Sequence, residues 1–260
     1  MHTDIWKKGS KSKFAFALPV MCLRGDIVII DFHSHFLPAI DDGAQNVETS
    51  IQMLKLSVEN NVGTIVATPH FNSTVSVNKD DAVNARNAAY NALCNEMNNY
   101  DIEFPKILRG FEVYFDLNTK SFCDFDKLCI ENTNCLLIEM PFCEWDNKLI
   151  EHLYKLTLKD YKIVMAHIDR YYRVFGESVY KLFELDVMFQ INQEMLDKMR
   201  ERRFLQKLVS AGRICVAGSD MHNTDVRSTK ILHAYEIAQK KLGAYADDIF
   251  CNNAYGILNL

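Results

Sequence analysis

The sequence lacks the features of several large functional classes. No glycine-rich loop of the form G-x-G-x-x-G or G-x-x-x-x-G-K-[ST] follows an apolar run, so a nucleotide-binding domain is unsupported. The eight cysteines include no C-x-x-C pair, which in a chain of 260 residues indicates a reduced, cytoplasmic protein rather than a disulfide framework. The net charge of −5 and the lack of a basic stripe argue against nucleic-acid binding.

The first 27 residues differ from the rest of the chain. An apolar stretch, FAFALPVMCL at 14–23, follows four lysines, Lys7, Lys8, Lys11 and Lys13. A secretory signal peptide is the weaker interpretation, because no small-residue cleavage site follows, and ten apolar residues are too few to span a bilayer. We therefore predict a basic, partly apolar arm at 1–27 that packs on the domain or contacts a partner, followed by a single domain at 28–260.

Short apolar runs alternate with longer segments of helical period through the domain. The runs predict seven strands: 27–30, 64–67, 106–110, 135–138, 162–166, 187–191 and 213–218. The segments between them predict helices over 47–58, 82–97, 146–159, 171–184, 195–210 and 227–242. This alternation is typical of an α/β fold with a parallel sheet and helices outside, and either a closed barrel or an open doubly wound sheet satisfies it.

Histidines and acids stand at the carboxyl ends of the predicted strands. In a parallel barrel these ends meet at one face, where active sites are built, so residues far apart in sequence would converge on one pocket. The side chains concerned are, in chain order, His33, His35, Asp41, Asp42, His70, Glu112, Glu139, His167, Asp220 and His222. The remaining histidines, His2, His152 and His233, lack this context, and we interpret them as surface or packing residues.

Imidazole and carboxylate together are ligands for divalent ions such as zinc, manganese or iron. The two rings of a His-x-His pair, here His33 and His35, lie on one side of an extended strand end. Singly, each of these residues is usually an ordinary hydrogen-bonded or ion-paired group, and Asp41–Asp42–Gly43 reads as a turn before a helix. Together they would be too costly to bury without a cation, so a site of two or three metals is predicted.

Several motifs resemble, in order and spacing, those of the PHP (polymerase and histidinol phosphatase) superfamily. Within it the chain is most similar to the metal-dependent tyrosine-protein phosphatases of bacterial capsule and exopolysaccharide clusters, the CpsB/CapC/YwqE type. The resemblance covers residue 28 to the end. The motifs that carry it are DFHSHFLPAIDDGA, IVATPHF, GFEVYFD, LLIEMPF, VMAHIDRY and GSDMHN.

The resemblance implies a distorted, TIM-like (β/α)7 barrel that holds three divalent metals, usually manganese, with iron, zinc or magnesium as alternatives. Carried over, the ligands of the first metal are His33, His35, Glu112 and Asp220. Those of the second are Glu112, Glu139 and His167, with Glu112 bridging. Those of the third are Asp42, His70 and His222. Two arginines of the family pattern, Arg170 and Arg227, would bind the phosphate, which suits the forked geometry of a guanidinium group.

The function implied is hydrolysis of phosphotyrosine on a protein by a metal-bridging hydroxide, with the tyrosine-rich tail of a bacterial tyrosine kinase as the expected partner. No cysteine is followed six positions later by arginine, which excludes the cysteinyl-phosphate mechanism of the C-x5-R enzymes. Two alternatives stay open: a small-molecule phosphatase of the same superfamily, similar to histidinol-phosphatase, and a non-catalytic regulator that binds the kinase tail. A homo-oligomer is compatible with either reading.

Four segments depart from the family pattern. Ala39 replaces the glycine of LPG, and Ile168 and Asp169 replace two residues of HPER in the turn before Arg170. The segment INQEML after the sixth strand lacks the small residues often found there, and the polar loop 71–79 has no family signature. These departures affect the expected substrate preference and the placement of Arg170, while every expected metal ligand is present.

Overall fold

The structure, a computed structural model, describes residues 22–23, 26–72, 78–117, 119 and 125–260. Most of the arm predicted at 1–27, including His2, therefore lies outside the described residues, as does the middle of the loop 71–79. Within the arm, β1 (Cys22–Leu23) and β2 (Asp26–Ile27) pair as antiparallel strands. Among the described residues we find no helix with the length and hydropathy that a bilayer span requires.

Nine further strands form two sheets in which every pairing is parallel. One sheet has the order β3–β4–β6 and the other the order β11–β10–β9–β8–β7–β5. Their bounds are β3 Ile29–Ser34, β4 Val62–Ala67, β5 His70–Phe71, β6 Lys106–Arg109, β7 Glu112–Tyr114, β8 Cys135–Glu139, β9 Lys162–Met165, β10 Met188–Asn192 and β11 Cys215–Gly218.

The second and third strand positions are each broken into two pieces. Pro69, which has no N–H for a ladder, separates β4 from β5, and Gly110 lies between β6 and β7. The backbone bridges both breaks, because Gly110 N donates to Ala67 O at 2.8 Å and Glu112 N donates to Pro69 O at 3.1 Å. Counted as positions, the nine strands therefore occupy seven, as the sequence predicts.

The ring closes between the first and last positions. Asp220 N donates to His33 O at 2.8 Å and His35 N donates to Met221 O at 2.9 Å, with a parallel bridge between Ser34 and Met221. A closed barrel, rather than an open doubly wound sheet, therefore describes the molecule. The first strand also extends to Ser34, beyond the predicted end at residue 30, because its polar residues pair across this seam.

Helices cover the strands, and three of them begin with side-chain caps. Asn46, Asn78 and Asp146 accept hydrogen bonds from backbone N–H groups in the first turns of α1, α2 and α3. The α-helices are α1 Val47–Glu59, α2 Lys79–Met97, α3 Asn147–Thr157, α4 Ile168–Phe175, α5 Met199–Ser210, α6 Ile231–Leu242, α7 Tyr245–Asp247 and α8 Asn253–Leu258. Short 3₁₀ segments cover Asp126–Leu128, Gly176–Glu184 and Gln193–Leu196, and a π-helix covers Asp248–Asn252.

The helix predicted over 171–184 differs most from the structure. It begins earlier, at Ile168, and ends as an α-helix at Phe175, where Gly176 takes a positive φ of 59°. The remainder continues as the 3₁₀ segment Gly176–Glu184. Since glycine is the residue that most readily adopts positive φ, it ends the α-helix where hydrophobic periodicity alone predicted a continuation.

Alternate residues of the strands belong to two hydrophobic clusters. On β8, Leu136 and Ile138 belong to the larger cluster, which also contains buried residues of α1, α3, α5 and α6. Cys135 and Leu137 belong to a second cluster with residues of α8. The face that carries Cys135 and Leu137 continues to Glu139 at the carboxyl end of the strand. This face of the strand is therefore apolar from its amino end and becomes polar at its carboxyl end.

Candidate metal centre

The structure brings all nine predicted ligands to the carboxyl end of the barrel. His33 lies within β3 and His35 follows it. Asp42 lies in the loop before α1, His70 begins β5, Glu112 begins β7 and Glu139 ends β8; His167 follows β9, and Asp220 and His222 follow β11. Their ligand atoms form four groups, each within 4.8 Å: His33–His35–Glu112, His33–His167–Asp220, His70–Glu112–Glu139 and His35–Asp42–His70–His222.

The deepest group has the spacing of donors around one cation. Nε2 of His33 lies 3.0 Å from Nε2 of His35, and Glu112 Oε2 lies 3.4 and 3.5 Å from these two atoms. Asp220 Oδ1 lies 3.7 and 3.6 Å from them. Metal–donor bonds of about 2.1 Å place neighbouring donors about 3.0–3.4 Å apart. The buried Oε2 of Glu112 has no hydrogen-bond partner among the described residues, so these four residues fit a metal ion.

Glu112 also faces the second group of donors. Its Oε1 lies 2.5 Å from Nε2 of His167, and Glu139 Oε1 lies 4.0 Å from the same nitrogen. Burial opposes ionisation of Glu112, but His33 and His167 hold the pKa of its carboxyl well below the ordinary value. Burial and the charge of Glu112 raise the pKa of Glu139. One ionised carboxylate therefore lies between two sets of nitrogen and oxygen donors, as a bridging ligand requires.

The third group opens to solvent. Asp42 Oδ1 lies 3.3 Å from Nε2 of both His70 and His222, and the side chains of Asp42 and His70 are 61% and 41% exposed. Nδ1 of His222 donates to the carbonyl oxygen of Asp220 at 2.9 Å, which leaves its Nε2 lone pair directed at Asp42. This group forms the mouth of the centre, through which a ligand from solvent would enter.

The loop after β3 orients His35 through Asp41. One oxygen of Asp41 lies 2.8 Å from Nδ1 of His35 and accepts from His70 N at 3.1 Å, while the other accepts from Gly43 N at 2.9 Å. A Cβ on Gly43 would lie 1.9 Å from the carbonyl oxygen of His35, so only glycine fits there. Although burial opposes it, the hydrogen bond to Asp41 and the negative charge of Glu112 raise the pKa of His35 to about 10.

Two of the ligands adopt a left-handed backbone conformation. His167 has a φ of 52° and Asp220 a φ of 51°, both directly after strands. For residues with a Cβ this region costs about 1–2 kcal/mol, and such residues cluster at functional sites. Ala39, where the family pattern has glycine, has a φ of 56° and carries the same strain.

Both predicted arginines reach the centre. The guanidinium group of Arg170 pairs with Asp220 Oδ2, and that of Arg227 lies 3.3 Å from the same oxygen and 3.6 Å from Asp42 Oδ2. Their side chains are 31% and 38% exposed, so both keep donors accessible at the mouth. The substituted turn before Arg170 is held in place because the buried Asp169 accepts a hydrogen bond from Asn192 N at 2.9 Å.

Three buried residues behind the proposed ligands were not predicted from the sequence. Asp31 accepts hydrogen bonds from Ser219 N at 2.8 Å and His33 N at 3.3 Å, and burial raises its pKa to about 6. Gln190 and Asn192 contact the Nδ1 atoms of two ligand histidines. The sequence contained a signal for Gln190 and Asn192: in the strand MFQIN they alternate with apolar residues, so their side chains share one face.

The other described histidines lie outside the cluster. His152 stacks on Phe115 with ring centroids 5.2 Å apart, and His233 lies 3.8 Å from Glu236 on the exposed surface of α6. Both match their interpretation as packing and surface residues.

Comparisons with known proteins agree with this geometry. The family described as "Capsular polysaccharide synthesis, CpsB/CapC" matches residues 29–259. The tyrosine-protein phosphatase YwqE of Bacillus subtilis is 31% identical over 233 residues, which covers 87% of this chain and 90% of the relative. The tyrosine-protein phosphatase CpsB of Streptococcus agalactiae is 26% identical over 242 residues, which covers 88% and 98% respectively.

Comparison with solved structures also finds a similarity to this family. A crystal structure from a study of YwqE from B. subtilis and CpsB from Streptococcus pneumoniae, described as unique metal-dependent tyrosine phosphatases, superposes with a TM-score of 0.71 at 28% identity. It covers 89% of this chain and 94% of that chain. A crystal structure described as an amidohydrolase superposes with a TM-score of 0.53 at 12% identity over 89% of this chain, a similarity of fold alone.

Proposed function

The chain belongs to the CpsB/CapC family of capsular polysaccharide synthesis, and from this premise we propose that it is a metal-dependent protein-tyrosine phosphatase. The observation that carries the proposal is the convergence of nine nitrogen and oxygen donors beside two accessible arginines. Relatives that align over most of their length are named tyrosine-protein phosphatases. The wholly buried Glu112 Oε2 and His222 Nε2, which lack hydrogen-bond partners among the described residues, further support a centre that holds cations.

We propose three metal ions, with manganese as the resident metal and iron, zinc or magnesium as alternatives. His33, His35, Glu112 and Asp220 would hold the first; Glu112, Glu139 and His167 the second; and Asp42, His70 and His222 the third. The donor groups contain imidazole and carboxylate but no thiolate among the described residues, which suits these ions. When bound, the metals would supply positive charge at the phosphoryl group and lower the pKa of water.

The side chains at the mouth would bind and orient the phosphoryl group. The guanidinium groups of Arg170 and Arg227 already contact one carboxylate oxygen of Asp220, so they converge where an anion would lie. A phosphate oxygen offers the same acceptor geometry, and charge that spreads over these oxygens in the transition state would strengthen the contacts. The two arginines would therefore both position the substrate and stabilise the transition state.

The reaction is hydrolysis, in which a water oxygen bonds to phosphorus and the bond from phosphorus to the tyrosine oxygen breaks. The departing phenolate has an ordinary pKa of about 10, so it needs little protonation to leave. Because a phenolate leaves readily, the chain needs no dedicated general acid, whereas an alkyl phosphate would need one.

The physiological partner we propose is the tyrosine-rich tail of a bacterial tyrosine kinase, encountered in the cytoplasm. A flexible tail suits this site because the donors at the mouth, Asp42 and His70, are exposed rather than enclosed. We propose residues 28–260 as the catalytic domain and residues 1–27 as an arm that contacts the domain or a partner. Homo-oligomerisation is compatible with this arrangement.

Turnover and metal content of the purified full-length protein test the proposal together. We expect manganese-dependent hydrolysis of a phosphotyrosine peptide, its loss in EDTA and its return on adding metal. Arg227→Ala should lower kcat/KM by about 100-fold, since charge-assisted bonds to phosphate contribute about 1.5–3 kcal/mol each. Arg213→Ala is the matched control, because Arg213 precedes the amino end of β11 and donates to Leu185 O, away from the centre. Full activity in EDTA would overturn the metal-dependent mechanism.

The same assay separates the two alternatives. Faster turnover of histidinol phosphate than of phosphotyrosine peptides would favour a small-molecule phosphatase. Tight binding of the kinase tail peptide without turnover in saturating manganese would favour a non-catalytic regulator.

A further inference from the structure

Two amide side chains on β10 lie directly behind the histidines of the metal centre. Gln190 and Asn192 are two residues apart, so they share one face of the strand, and both are buried. Gln190 Oε1 lies 3.1 Å from Nδ1 of His33, and Asn192 Oδ1 lies 3.2 Å from Nδ1 of His167. Both contacts are on the side of the ring that faces away from the carboxylate of Glu112.

One backbone N–H determines the direction of the first of these hydrogen bonds. The backbone nitrogen of His167 can only donate, and its acceptor is Gln190 Oε1 at 2.9 Å. This contact identifies which atom of the Gln190 amide is oxygen and which is nitrogen. Because the amide oxygen can only accept, the proton of the bond to His33 must lie on Nδ1 of that ring.

The Gln190 amide extends the same logic to Asn192. Gln190 Nε2 donates to Asn192 Oδ1 at 2.9 Å, so this atom of Asn192 is its oxygen. The bond to His167 therefore also carries its proton on Nδ1 of the ring. The other end of the Asn192 amide, Nδ2, donates to Asp220 Oδ2 at 3.3 Å.

We propose that Gln190 and Asn192 form an amide relay that sets the imidazole tautomers of the metal centre before a cation binds, an inference that rests on the proposed metal-dependent function. The relay holds a proton on Nδ1 of His33 and His167, so Nε2 is the atom that each ring would offer to a metal. It also orients Asp220 by donating to Oδ2. Gln190 and Asn192 are positioning residues, since partners of this kind fix the orientation and tautomer of metal ligands.

The packing around the relay supports this assignment. A Cβ at Gly218 would lie 2.9 Å from Gln190 Nε2 and 2.6 Å from Cβ of His33, so a glycine leaves room for the amide and the ring together. The relay is also chemically distinct from the carboxylate of Asp41, which serves His35. A neutral amide fixes the Nδ1 proton without adding a further negative charge to a cluster that already contains four proposed carboxylate ligands.

Nitrogen-15 NMR of the histidine rings tests the tautomers directly in the metal-free wild-type protein. The spectra are recorded over a range of pH. We expect Nδ1 of His33 and of His167 to carry a proton at every pH recorded, since each faces an amide oxygen, whereas any gain or loss of a proton should occur at Nε2, which faces Glu112. A spectrum in which either ring is protonated on Nε2 but not on Nδ1 would overturn the relay, and this measurement requires no variant that might fail to fold.

Metal affinity tests whether the amide relay strengthens metal binding. Gln190→Met keeps the volume but removes the acceptor, and we expect manganese affinity by calorimetry to fall about 10- to 100-fold. Gln190→Glu should recover most of the affinity, because a carboxyl oxygen can accept from Nδ1 of His33 as the amide oxygen does. The matched control is Gln193→Met, since Gln193 is also buried but bonds to Ser228 O and Lys230 N.

Wild-type affinity in a folded Gln190→Met protein would contradict the relay. These readouts do not depend on catalysis. If the protein fails to hydrolyse phosphotyrosine but Gln190→Met still loses metal, the relay stands and the proposed phosphatase function falls.

Discussion

Adding one methyl group at Gly218 should remove the metal ion that His33 is proposed to hold. An alanine Cβ there would lie 2.6 Å from Cβ of His33 and 3.1 Å from its backbone nitrogen. Carbon atoms in contact are about 3.5–4.0 Å apart, so His33 would have to move by about 1 Å. Metal–ligand distances tolerate only about 0.2 Å. Gly218→Ala should therefore lose the metal held by His33 and destabilise the metal-free protein by about 1–3 kcal/mol through overpacking.

The assay is metal content after dialysis, with thermal unfolding in EDTA as the measure of intrinsic stability. Gly63→Ala is the matched control, because its added Cβ would lie 2.2 Å from Cγ1 of Val28, at the amino end of β4 and away from the ligands. The control should lose stability but keep its metal. If Gly218→Ala holds as much metal as the wild type, the close packing of His33 does not control the site.

Three further predictions concern protonation, backbone strain and thiols. The carboxylates around His35 raise its pKa to about 10 despite its burial, so below that pH a cation must displace a proton from this ring. Manganese affinity should therefore fall as pH falls. The binding enthalpy measured by calorimetry should depend on the buffer that takes up the released proton. Ala39→Gly should raise stability by about 0.5–1 kcal/mol because φ is 56°, whereas Ala85→Gly in helix α2 should lower it by about 1 kcal/mol; equal effects in denaturant unfolding would refute the strain. Alkylation should modify the exposed Cys143 but leave activity unchanged, because the proposed mechanism uses no thiol. The buried Cys215 should not react, since burial raises its pKa to about 12. Inactivation of a protein that keeps its wild-type metal content would implicate a thiol in the reaction.

The sequence was informative about the ligands because their chemistry is local to each strand end. His33, Glu139 and His167 lie in or beside short apolar runs, and parallel topology brings those ends to one rim whatever the details of the helices between them. Strand boundaries were less predictable. The apolar run predicts that the first strand ends at residue 30, yet Asp31 and His33 belong to β3 because their partners, Ser219 and Asp220, come from the end of the last strand.

By itself, the sequence determined the order of strands and helices, the imidazole and carboxylate character of the centre, and the glycine at 218. Only the tertiary structure decided which donors lie within reach of one another, that Glu112 faces two groups, and that Gln190 and Asn192 lie behind the rings of His33 and His167. The physical reason is the distance along the chain over which each property acts. Side-chain chemistry and periodicity are properties of neighbouring residues, whereas coordination and hydrogen bonding depend on distances of a few tenths of an ångström between strands far apart in the chain.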